Sequence, residues 1–382
     1  MSRDPNAAVR AIELPDGTSA WLVTGYEEAR QALSDTRLSK VLKAGDLGLE
    51  PELSSAMLRM MLFLDPPDHT RLRRLVSAAF TPRRVEALRP HIEQIAGELL
   101  DAIAVHETVD LAGTFAYPLP LQVICELLGV PVEDRAEFRD WSAIVAAGSA
   151  RQHEQPAALA RVLTRIRAML ADRVVHPGDD LLGDLLAVRE EGDRMSEDEL
   201  TSMVFMLLIA GHETTAHLIG SGAFILLQDR NRWLQLRDEP ELLPTAIEEF
   251  VRYEPPIAVT TQRTATAVIE LGGQSIPAGS RVLVRLVDAN RDGARFHDAD
   301  EVRLHRAQNP HLGFGHGIHY CIGAPLARLQ AQVAFTALMA RFPELELAVP
   351  ASEVGWRSDF QRGVIRLPVR LSPSADQIPD RG

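Results

Sequence analysis

The run Phe314-Gly-His-Gly-Ile-His-Tyr-Cys321-Ile-Gly323 places one cysteine just before a stretch whose apolar spacing predicts a helix over 325–341, with proline in its first turn and Pro343 beyond its end. A thiol at a helix N-terminus meets the positive end of the dipole and unpaired backbone N–H groups, and both favour the thiolate. Such a sulfur can ligate a metal. Gly315, Gly317 and Gly323 let the backbone turn tightly and approach a flat ligand without Cβ clashes. Taken alone, a single cysteine is more readily a buried structural residue or a redox-sensing thiol. The other cysteine, Cys125, sits in the apolar run 121–128 and reads as a core residue.

A second concentration of polar chemistry, Ala210-Gly-His-Glu-Thr-Thr215, interrupts the apolar stretch 203–228. An ionisable pair there is expensive in lipid, which favours a helix through the middle of a large protein over a membrane span. Gly211 lowers helix propensity, and a threonine hydroxyl can bond a carbonyl one turn earlier, so this helix is expected to open locally. By itself the segment also fits a polar seam between packed helices. Glu249 and Arg252 stand i, i+3 on one helical face, and His69 and Arg73 stand i, i+4 at the start of another. Arg71 and Arg74 beside them read as ordinary surface charges.

Phe314, the glycine after it, Cys321 and Gly323 at this spacing resemble the haem-binding loop of the cytochrome P-450 family, and the other motifs follow the family's order along essentially the whole chain. The resemblance implies a mainly α fold with small β-sheets (α+β), in which haem b lies buried between a long central helix and the cysteine loop and helix. It makes Cys321 the axial ligand of the haem iron. Phe314, Gly323, Ala210 and Gly211 become haem neighbours, and His69, Arg73, Arg263 and His319 the propionate-binding set. Glu213 and Thr214 would deliver protons for dioxygen cleavage. Glu249 and Arg252 would form a buried pair supporting the cysteine loop. The implied reaction is a monooxygenation fed by NAD(P)H through a ferredoxin or flavodoxin and its reductase, with Arg328 as a docking contact. Family position also nominates Met61, Phe63, Met206, Val259, Thr261 and Val364 for the substrate pocket. Their character fits a sizeable apolar polyketide, macrolide, terpenoid or steroid of bacterial secondary metabolism, hydroxylated rather than epoxidised. A peroxide-driven peroxygenase and a non-catalytic haem-thiolate sensor are the alternatives; the intact Glu213–Thr214 pair counts against the first. The chain departs from the family pattern at Phe296-His-Asp-Ala-Asp300, where looser packing is expected.

The elements that position these residues are mostly helical. A hairpin is expected over 11–23 with Asp16 and Gly17 at its tip, helices at 85–103 and 158–174, and short strands at 268–271, 282–287 and 364–371. Residues drawn from 69 to 321 serve one cofactor, so 1–382 is expected to be a single domain, with loose tails at 1–9 and 373–382. Of 382 residues 46% are hydrophobic and 24% charged, a balance that suits a globular protein. A net charge of -13 excludes a general nucleic-acid binder. Two cysteines cannot build a disulfide framework, and the N-terminus carries no apolar anchor. The expected protein is cytoplasmic, monomeric and free of membrane. All but two of its 40 basic residues are arginine, a mark of a GC-rich genome.

Overall fold

Asp16 accepts hydrogen bonds from the backbone and hydroxyl of Thr18 (2.9 and 2.6 Å), and Gly17 takes φ 77°, closing the first hairpin. Its strands, Val9–Glu13 and Ser19–Val23, pair antiparallel with Ala11 opposite Trp21. This computed structural model describes residues 7–14, 16–42, 57–146, 153–178, 181–187 and 194–371. Val9 opens a strand and is buried, so the N-terminal tail is shorter than the sequence suggested; residues 1–6 and 372–382 lie outside the described chain. The described residues fall into two compact units, each assembled from segments that are not consecutive: Met1–Leu38, Val85–Pro120 and Thr214–Gly382 in one, Ser39–Arg84 and Leu121–Glu213 in the other.

In the first unit the hairpin extends into a mixed sheet. Ser19–Val23 runs parallel to Arg281–Val284, which pairs antiparallel with Arg263–Ala265. Trp21, Val282 and Val284 bury one face of this sheet together with Tyr26, Ala29 and Leu33 of the helix Tyr26–Ser34. The strand expected over 282–287 ends at Val284, and Leu286–Ala289 turns helical. The helix expected over 85–103 breaks into Pro82–Ala87 and Arg89–Ile103, because Pro90 supplies no N–H and starts a new first turn. The cysteine helix, Ala324–Arg341, packs on Arg89–Ile103 and on Leu243–Tyr253, with Phe250 and Phe335 edge to face at 5.4 Å.

The second unit is helical. Asp68–Ala79, Arg135–Ala146, Gln155–Val175 and Leu181–Ala187 carry it with the first half of the long helix Glu197–Leu227. Arg71, expected at the surface, is half-buried in an ion pair with Glu199. Glu197–Leu227 is, among the described residues, the one helix long and apolar enough to cross a membrane, and 78% of its most apolar window is buried inside the protein. It runs without interruption through Gly211–Thr215 rather than opening there. A Cβ at Gly211 would stand 3.3 Å from the Ile124 side chain, so the glycine serves close helix packing instead of a break.

Candidate active site

The turn before Cys321 is fixed by its backbone. Gly315 and Gly317 take φ 78° and 71°, and a Cβ on Gly317 would lie 2.8 Å from the carbonyl oxygen of Leu33, so only glycine fits. The Cys321 N–H donates to the Phe314 carbonyl at 2.9 Å, and the exposed thiol stands at the N-terminus of the 18-residue helix Ala324–Arg341. Cys125 is its opposite: fully buried, with burial pushing its thiol up to about 12, it is inert. Arg328, nominated as a docking contact, also has partners within the protein. Its guanidinium donates to both Glu248 oxygens (2.6 and 2.8 Å) and lies 4.4 Å over the Phe314 ring, so it braces the cysteine turn.

Burial alone would raise the Glu248 carboxyl, but Arg328 and His311 outweigh it and hold the group at about 2. A depressed carboxylate contributes stability above its unfolded value near 4.5 and loses it as pH falls towards 2. Glu248→Gln is therefore expected to lower the urea midpoint at pH 7, with the gap to the parent narrowing between pH 4.5 and pH 3. A gap constant across that range would remove the pair from the stability of this turn.

Behind the turn lies a wholly buried ion pair. The Arg252 Nε and Nη2 donate to the two Glu249 oxygens, both at 2.8 Å, and its remaining N–H groups reach the carbonyls of Asn290, Ala299 and Glu301. Glu249 also accepts from the Arg303 N–H, Arg306 Nε and Asn309 Nδ2. These bonds fix the segment where looser packing was expected: Phe296 and Ala299 are buried, and Arg306 holds the carbonyls of His297, Asp298 and Glu301. Backbone carbonyls do the holding there, so the missing prolines cost no order. In the same unit Arg263 is 3% exposed on its strand, and His319 is partly exposed in the cysteine turn.

In the other unit His69 is 2% exposed. Burial lowers its pKa, the charges of Arg73 and Lys40 lower it further, and Asp65 opposes them. Lys40, overlooked in the sequence, is a buried member of this group, and its backbone N–H donates to Asp65 at 3.1 Å. A lysine in a chain otherwise using arginine was the available signal.

Between Met203 and Leu226 of the long helix only Ile209, Ala210, Gly211 and Thr214 are not buried. They open one small-residue face beside Glu213, which is 4% exposed. The neighbouring His212 is pushed down to about 4 by burial, opposed by its 2.8 Å bond to the Leu208 carbonyl, so at neutral pH the ring is uncharged and its Nδ1–H donates to that carbonyl. Of the nominated pocket residues, Phe63, Val259 and Thr261 are partly open, whereas Met61, Met206 and Val364 are buried, Val364 against Gly220. The carbonyl of the exposed Phe360 accepts from the N–H groups of Ala258 and Val259 (3.0 and 3.5 Å).

Among the described residues no three His, Cys, Asp or Glu side chains gather as a metal site. A lone sulfur therefore suits a metal that brings its own remaining ligands, as haem iron does, and the open face Ala210–Gly211–Thr214 suits a flat group. A glycine turn carrying one thiol at a helix N-terminus, in a chain this helical, is the framework of a haem-thiolate enzyme. Comparison with known proteins agrees. Residues 150–349 match the family model described as Cytochrome P450. Cytochrome P450 107B1 of Saccharopolyspora erythraea is 46% identical over 97% of this chain and 93% of its own. The 6-deoxyerythronolide B hydroxylase of the same organism is 45% identical over 93% and 91%. The bacillaene polyketide synthase cytochrome P450 PksS of Bacillus subtilis superposes with a TM-score of 0.90 at 40% identity, covering 97% and 95%. The chain belongs to the cytochrome P450 family, is a monooxygenase of the bacterial type, and its cofactor is haem.

Proposed function

We propose that this monooxygenase hydroxylates a sizeable apolar polyketide or macrolide in bacterial secondary metabolism. The observation that carries this reading is the 45% identity, over nearly the whole chain, to a 6-deoxyerythronolide B hydroxylase. Cys321 would ligate the haem iron, His69, Arg73, Arg263 and His319 would hold the propionates, and Phe314, Gly323, Ala210 and Gly211 would line the haem site. Bound haem supplies the dioxygen chemistry, with the thiolate pushing electron density towards the iron. Electrons come from NADH or NADPH through a ferredoxin or flavodoxin and its reductase, in the cytoplasm, to a monomer whose 1–382 act as one catalytic domain.

The residues of the chain itself do the positioning. The apolar body of the long helix keeps bulk water from the reacting face, and the buried Glu213 holds a proton source one residue from the Thr214 hydroxyl. Thr214, partly open, passes that proton on. His212 stays neutral and does not compete. Phe63 in one unit, and Val259 and Thr261 in the other, are partly open and would orient the substrate by shape.

A panel of macrolactones and sterols added to the haem-loaded protein tests the substrate class: a spin-state shift and a product heavier by one oxygen atom are expected with the macrolactones alone. Turnover confined to sterols overturns it. Thr214→Ala is expected to keep haem and NADH consumption while product per NADH falls at least about tenfold, the rest appearing as hydrogen peroxide. Coupling equal to the parent's would end the assignment of Thr214 to the proton path.

A further inference from the structure

Beyond Thr214 the long helix shows one face at a regular spacing, His217, Gly220 and Phe224, that is i, i+3 and i+7. A single hairpin, Trp356–Ser358 and Arg362–Val364, lies along that face and is anchored at each point. Phe224 meets Trp356 edge to face at 5.2 Å. Gly220 receives Val364, whose Cγ2 is 2.9 Å from where a Cβ would be. His217 receives Gly363: a Cβ there would overlap the imidazole and stand 2.8 Å from the histidine Cβ, so the backbone of the strand rests on the ring. The ring is held from another side by Tyr117, edge to face at 5.6 Å with its hydroxyl 3.5 Å from Nε2. His217 is 1% exposed.

Two of these anchors, Gly220 with Val364 and His217 with Gly363, are close approaches that use glycine to bring backbone and side chain together. The second of them, nearest Thr214, is set by the thickness of an imidazole that Tyr117 holds from another side. The hairpin in turn carries Phe360, whose carbonyl is bonded to the N–H groups of Ala258 and Val259, and the Arg362 N–H donates to the Pro256 carbonyl at 2.9 Å. Moving Gly363 therefore moves Phe360 and the segment that bears Val259 and Thr261.

We propose that His217 is a positioning residue for ligand-size selectivity: its ring, wedged between Tyr117 and Gly363, sets the standoff of the hairpin from the long helix and with it the wall formed by Phe360 and Val259. The proposal rests on reading Val259 and Thr261 as substrate-facing. Its chemistry is steric. Phenylalanine at 217 preserves the standoff and alanine does not, while the methyl of Gly363→Ala overlaps the ring and forces the strand away from it.

The test uses the haem-loaded protein and two azole probes, imidazole and the bulkier 4-phenylimidazole, titrated by the Soret shift. His217→Ala and Gly363→Ala each are expected to change the ratio of the two dissociation constants by roughly tenfold, while His217→Phe keeps it within about threefold of the parent. A merely structural histidine would lower the melting temperature and leave the ratio alone, and that result overturns the proposal. Hydrogen exchange at the Ala258 and Arg362 amides is read in the same variants, with or without haem. Faster exchange in His217→Ala but not in His217→Phe is expected; unchanged exchange overturns the proposal even where azoles bind no variant, the outcome that would instead mark failure of the substrate-site reading.

Discussion

Cys321→Ser is expected to abolish the strongly red-shifted Soret band that the parent gives when reduced with dithionite under carbon monoxide, and with it all product formation. The argument is one of donor chemistry. The thiol at the N-terminus of Ala324–Arg341 is exposed, and the two glycines of positive φ before it leave no side chain between the turn and an approaching flat group. Serine keeps the shape of that turn and its 2.9 Å backbone bond to Phe314 but offers an oxygen too weakly basic in character, as a neutral alcohol, to push electron density towards iron. Cys125 cannot substitute, since burial holds its thiol protonated to about 12. Haem retained with the red-shifted band intact in Cys321→Ser would mean that another residue is the ligand, and the reading of the whole site would have to be rebuilt.

How much of this was legible in the sequence depended on whether a residue acts locally. The cysteine turn, the long helix and the Glu249–Arg252 spacing are short-range patterns, and the resemblance to a family gave the turn and the pair their roles. Where neighbours distant in sequence decide, reading failed. Gly211 looked like a helix breaker, but Ile124, 87 positions earlier by number, packs against it and makes it a contact glycine. The segment 296–300 looked loose for want of prolines, yet Arg252 and Arg306 hold its carbonyls from outside.

That buried network sets the second large effect. Glu249→Gln is expected to destabilise the protein by about 3–5 kcal/mol and to cost it haem retention, more than Glu248→Gln does at the same turn. Both side chains of the Glu249–Arg252 pair are 0% exposed, and Arg306 beside them is 8% exposed, so one neutralised carboxylate strands two guanidiniums away from water. The amide can still accept from one of them, but it supplies no charge, and its two N–H groups face donors. Arg252→Met is expected to be milder in charge terms, because Glu249 keeps Arg306, Asn309 Nδ2 and the Arg303 N–H, yet it frees the carbonyls of Asn290, Ala299 and Glu301. The order of urea midpoints, parent above Arg252→Met above Glu249→Gln, separates a charge-driven network from one held by carbonyl bonds. The reverse order would place the weight on the segment 290–301 and make Glu249 its accessory. The pair sits behind the cysteine turn through Arg303–Asn309, so loss of haem on transfer to an apo-haem acceptor should follow the same order as the midpoints.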